Sequence, residues 1–101
     1  MKYSFLAPAR AELREAKNFY EDRQPGLGEE FSIEVQETIG RILLNPTMWA
    51  RLSGRSRRCR LRRFPYAVIY QLRREEILIV AVAHLRREPT YWRNRIDDDQ
   101  T

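Results

Sequence analysis

Two spacings of apolar residues divide the chain. In the first part, Ala9, Leu13, Ala16 and Tyr20 recur at helical spacing, with Glu12, Arg14, Glu15 and Lys17 assigned to the outer face. Pro8 stands where a first helical turn accepts a residue without an N–H, and Pro25-Gly26 marks the stop. Leu27, Phe31, Val35, Ile39 and Ile42 make a second stripe. It is interleaved with Glu29, Glu30, Glu34 and Glu37 near its start, where the helix dipole favours acids, and Asn45-Pro46 ends it. The link between the stripes is so short that the helices should form an antiparallel hairpin.

Beyond a loop expected at 47–56 the period becomes two. In Arg58-Cys59-Arg60-Leu61-Arg62 the arginines take one face of a strand and Cys59 and Leu61 the other. Phe64-Pro65 interrupts the pattern. Residues 66–72 and 77–83 are apolar on nearly both faces, as central strands are, and Arg73-Arg74-Glu75-Glu76 joins them as a hairpin turn lacking Gly or Asn. Tyr3 to Leu6 predicts a first strand, and 89–96 a short helical turn. The order is β-α-α-β-β-β with a short C-terminal helical element. This is an α+β fold in which the helical hairpin packs on a mostly antiparallel four-stranded sheet, since neither layer buries its apolar side alone. Residues 1–96 read as a single domain, and 97–101 as an acidic tail.

Charge sharpens this picture. Residues 1–50 hold 6 basic and 8 acidic side chains, whereas 51–101 hold 13 and 6. Seven of the thirteen positions from Arg51 to Arg63 are arginine and none is acidic. Arginine suits sites that grip phosphates or carboxylates in fixed geometry. The row Arg58, Arg60 and Arg62, with Arg86, Arg87 and Arg93 further on, therefore forms a candidate contact surface for an anionic target. The segment HLRREPTYWRNR at 84–95 adds an imidazole and two aromatics. Trp92 reads as packing on the sheet, and His84 as a hydrogen-bonded strand-end histidine. Carboxylate pairs suited to glycoside or metal chemistry are missing, and the lone Cys59 reads as a small buried hydrophobe. No metal or cofactor is expected. The longest apolar run, 77–83, is too short to cross a bilayer and the start does not resemble a signal peptide, so a cytoplasmic protein with no membrane contact is expected.

PGLGEEF at 25–31, NPTMW at 45–49, RRFPYAVIY at 62–70 and AVAHLRREPTYWRNR at 81–95 together resemble the RelE/ParE family of toxins from type II toxin–antitoxin modules. The likeness covers essentially the whole chain and leans to the ParE side. It implies a bacterial growth-inhibiting toxin of the kind that stabilises plasmids, neutralised by a cognate acidic, partly disordered antitoxin. That partner is expected across the hairpin and sheet, with apolar anchors beside Leu13, Phe19 and Val35. ParE-type members poison DNA gyrase without an enzymatic step of their own. RelE-type members instead cut mRNA on the ribosome without a metal. For that chemistry the resemblance implies Arg58, Arg60, Arg87 and Tyr91. The family's arginine in the next strand falls at Ala67, and the one after the last strand falls near Leu85.

Overall fold

The structure, a computed structural model, describes residues 1–96; the acidic tail read at 97–101 lies outside the described residues. Strand β1 (Lys2–Phe5) leads into helix α1 (Ala7–Arg23) and helix α2 (Leu27–Leu44). Four strands follow: β2 (Ala50–Ser53), β3 (Ser56–Arg60), β4 (Tyr66–Arg73) and β5 (Glu76–His84). A 3-10 turn at Arg93–Arg95 follows them. The sheet order is β1-β5-β4-β3-β2, with β1 parallel to β5 and every other pair antiparallel.

Among the described residues the sheet thus has five strands, not four. Ala50–Ser53, read as loop, forms its edge. Ser53 pairs with Ser56 across a two-residue turn, and Gly54 supplies the positive φ of 51° that the turn needs. The β4–β5 hairpin solves the same problem without glycine, because Arg74 itself adopts φ 51°.

The hairpin has a physical reason for its PGLG wording. Gly26 takes φ 90° at the start of α2, and its N–H and that of Gly28 donate to the Glu21 carboxylate at 2.9 and 3.0 Å. A Cβ on Gly28 would collide with the Lys17 carbonyl oxygen, so glycine lets the helices approach. The apolar stripes then bury against one sheet face. Phe31, Val35, Ile39 and Ile42 meet Cys59, Val68, Tyr70, Ile79 and Val82 in one core, closed at one end by the rings of Tyr20, Phe64 and Tyr66. Tyr70 is wholly buried; its hydroxyl donates to the Pro46 carbonyl at 2.7 Å, and burial pushes its pKa up to about 12.

On the sheet face away from the helices, Ile69, Val80, Ala81 and Ala83 form a second, thinner core under Trp92. Trp92 is 1% exposed and its indole N–H donates to the Pro89 carbonyl, so the packing role expected for it holds. The pairing of β4 with β5 shifts register between Ile69 and Tyr70, and the strand-end His84 accepts the Arg86 N–H at Nδ1.

A cationic face around a small apolar recess

The arginine-rich segment divides by role. Arg57 reaches back to the carbonyls of Thr47 and Trp49, at 3.0 and 2.9 Å, and pins the loop that leads into β2. Arg63 bonds Glu34 and Glu30, each at 3.2 Å. The strand ends at Arg60, so Arg62 belongs to the following turn and does not extend the row; its N–H and that of Arg63 both donate to the Glu34 carboxylate. Glu34, read from the sequence as one of the acids favoured near the start of the second helix, is buried beneath that turn.

Burial alone would raise the pKa of Glu34. The N–H groups of Arg63 and Arg62 and the Arg63 guanidinium outweigh it and hold the carboxyl below its ordinary value. A depressed folded-state pKa contributes stability that is complete above the unfolded value near 4.5 and is lost as pH falls through the folded value. Glu34→Gln should therefore be less stable at neutral pH and show a shallower acid loss than the parent, read from urea denaturation midpoints across the acid range.

Arg58 and Arg60 remain on the face away from the helices, paired in register with Ile69 and Ala67. Among the described residues, the guanidinium groups of Arg58, Arg60, Arg86 and Arg87 make no hydrogen bond or ion pair. Arg58 and Arg87 flank a recess of about 80 Å³, whose wall includes Leu52, Ala67, Ile69, Ala83, Tyr91 and Trp92. Arg87 is held there by its guanidinium lying 3.9 Å from the centroid of the Tyr91 ring. The structure thus gathers Arg58, Arg87 and Tyr91. Arg60 is exposed outside the recess wall, Arg62 and Arg86 sit in turns, and Arg93 opens the 3-10 turn, half-buried.

Tyr91 is not a free phenol. Its hydroxyl donates to Glu12 at 2.7 Å, and its pKa is pushed well up, first by burial and then by that carboxylate. Glu12, assigned from sequence to the outer face, instead forms a clasp. It accepts two hydrogen bonds from Arg95, at 2.9 and 2.8 Å, and the Val82 N–H at 3.0 Å. Arg95 also donates to the Val80 carbonyl at 3.0 Å. Glu12 and Glu34 were both legible in principle. Each lies three residues after a buried apolar position, Ala9 and Phe31, on the border of the stripe, where an acid has to find a partner.

The expected antitoxin anchors separate. Val35 is fully buried in the core and offers no surface, Leu13 is half-buried, and only Phe19 is exposed, with the Arg23 guanidinium 4.6 Å above its ring. The hollow beside Phe19 is lined by Glu12, Glu15 and Arg87 as well as Tyr66, Val82 and His84.

Fold and site define a two-layer α+β protein that presents unpaired cations beside an apolar recess on its helix-free sheet face. The sequence model of the ParE toxin of the type II toxin–antitoxin system parDE matches residues 3–89, and the chain belongs to this family. A solved structure described as the chromosomal ParDE TA system from P. aeruginosa contains a similar chain, with TM-score 0.73 and 17% sequence identity. The match covers 83% of this chain and 95% of that one, and at this identity it speaks for the fold. None of the curated proteins matches the sequence. No helix among the described residues is long and apolar enough to cross a membrane.

Proposed function

We propose that the protein inhibits DNA gyrase by binding it, as the toxin of a module whose cognate acidic antitoxin neutralises it. The observation that carries this reading is the division of labour among the cations. Arg57, Arg63 and Arg95 are spent on the fold, while the guanidinium groups of Arg58, Arg60, Arg86 and Arg87 make no hydrogen bond or ion pair among the described residues. Such groups suit contact with acidic protein or DNA phosphate. The chemistry of a ribonuclease fares less well here, since the Tyr91 proton is held by Glu12 and Ala67 stands where that chemistry wants a cation.

A supercoiling assay with purified toxin tests the reading. Inhibition is expected at micromolar protein, and reversing two charges in Arg58→Glu/Arg60→Glu should weaken it by about tenfold or more. Full supercoiling at that concentration would exclude gyrase as target.

One observation keeps ribosome-dependent mRNA cleavage as the second reading: Arg58, Arg87 and Tyr91 do share one recess. Codon-positioned cuts in a toeprint, abolished in Tyr91→Phe, are the result that would favour it.

A further inference from the structure

Arg87 stands where three hollows of the surface meet. It lines the recess beside Trp92, the hollow beside Phe19 and a third hollow walled by Leu6, Pro8 and Asn94. A turn fixes its backbone, the Arg87 N–H donating to the His84 carbonyl at 3.0 Å. Tyr91 fixes its side chain, and the 3.9 Å from guanidinium to ring centroid is the closest such approach among the described residues. The acids at these hollows do not capture it: Glu12 is engaged by Arg95, Glu88 by Thr90, and Glu15 forms no ion pair with it. The ring beneath is itself held. Its hydroxyl donates to Glu12 at 2.7 Å, and the same carboxylate accepts two hydrogen bonds from Arg95. Arg95 also lies near that ring, 5.1 Å from its centroid, so its pairing with Glu12 leaves Arg87 as the one cation there without an ion pair.

We infer that Tyr91 is a positioning residue: its ring, locked to Glu12, presents the Arg87 guanidinium ready-oriented to an anionic group of the target and makes Arg87 more effective there than Arg58. The inference rests on the reading above for the identity of the target. Its physical basis is entropy. A freely rotating arginine loses its rotamer freedom on gripping a carboxylate or phosphate, and that ordering costs about two- to tenfold in affinity. Arg87 has given up this freedom before any target arrives, whereas Arg58, Arg60 and Arg86 have no ring contact among the described residues. Stacking does not consume its donors, because the N–H fork of a guanidinium lies in the plane while the aromatic ring meets a face. None of those donors is used within the described residues. This role differs from proton transfer. The Tyr91 hydroxyl serves to hold the ring, and the ring serves to hold the cation.

The test reads gyrase inhibition and the proton NMR spectrum of the full chain side by side. In the parent protein the δ protons of Arg87 should be shifted upfield by the ring; Tyr91→Phe keeps that shift and Tyr91→Leu removes it. Arg87→Ala should weaken inhibition about tenfold, and Arg58→Ala, which removes a cation with no ring beneath it, about threefold. Tyr91→Leu should cost nearly as much as Arg87→Ala, whereas Tyr91→Phe retains the stack and should lose about threefold. The double variant Tyr91→Leu/Arg87→Ala should be no weaker than Arg87→Ala alone, because the ring acts through the cation. A ring with a structural role only would behave otherwise, lowering the melting temperature while inhibition by the folded protein stayed as before. Tyr91→Met is the gentler replacement, used where thermal melting shows Tyr91→Leu to be unfolded. Unshifted Arg87 protons in the parent, losses that add in the double variant, or a larger loss at Arg58 than at Arg87 would overturn the inference. If the parent leaves supercoiling intact, the target reading fails by itself, and the proton shifts decide the positioning.

Discussion

Glu12→Ala should lower the unfolding free energy by about 3–5 kcal/mol, the usual cost of leaving one member of a buried ion pair without the other. The carboxylate and the Arg95 guanidinium are 13% and 16% exposed, so water replaces little of what is lost. Four hydrogen bonds end on this one side chain: two from Arg95, one from the Tyr91 hydroxyl and one from the Val82 N–H. The Arg95 pKa is raised, first by its hydrogen bond to Glu12, which prevails over the opposing effect of burial. Removing the carboxylate leaves a cation, a phenol and a backbone N–H short of partners together. Small domains have only about 5–15 kcal/mol of net stability, so the variant should unfold at markedly lower urea concentration. A double-mutant cycle with Arg95→Met separates the pair from its surroundings: the double variant should be less destabilised than the sum of the two single ones. A cost below about 1 kcal/mol for Glu12→Ala would mean that the pair behaves as an exposed one and that the clasp holds nothing.

Trp92→Ala is the second large effect. Deleting a buried indole typically costs about 3–5 kcal/mol, which for a domain of this size lowers the melting temperature by about 15 °C or more. Here the ring is the main cover for Ile69, Val80, Ala81 and Ala83, and its N–H is satisfied by the Pro89 carbonyl at 2.9 Å. Trp92→Phe keeps most of the apolar cover and should recover most of the loss. A tryptophan serving to stack on nucleic-acid bases would behave in the opposite way, with binding lost and melting unchanged. Scanning calorimetry on the three proteins distinguishes the two roles.

Much of this architecture can be read from spacing. Both helices follow from Ala9, Leu13, Ala16 and Tyr20 and from Phe31, Val35, Ile39 and Ile42, because a 3.6-residue stripe this regular has one low-energy use. The central strands follow from their continuous apolar runs. Edge strand β2 was hidden, since Ala50-Arg51-Leu52-Ser53 has weak alternation and half-exposed residues; its only signal is Gly54, placed for a two-residue turn. The site was legible in part. Spacing put Arg58 and Arg60 on one face, and the structure agrees. It also extended the row to Arg62, because periodicity carries no information on where a strand stops. That stop is made by Glu34, nearly thirty residues earlier, capturing two successive N–H groups. Val35 was expected beside the antitoxin's apolar anchors because it belongs to the apolar stripe, and the same stripe position places it inside the core. Long-range pairings such as Glu12 with Arg95 leave no trace in local pattern, which is why the carboxylates that organise the fold looked like ordinary surface acids.

The parallel pairing of β1 with β5, reinforced by the link between positions 12 and 95, has a consequence for the order of events during synthesis. Contacts this distant in sequence close late and slow folding, whereas a helical hairpin forms from neighbours. Chains emerge at about 5–20 residues per second, so for some seconds the nascent protein owns its helices and its arginine strand but not its recess. Arg58, Ala67, Ala83 and Trp92 come together only once the last third of the chain is available. A chain assembled in this order completes its cationic recess as one of its final acts, after the helices and the arginine strand are already in place.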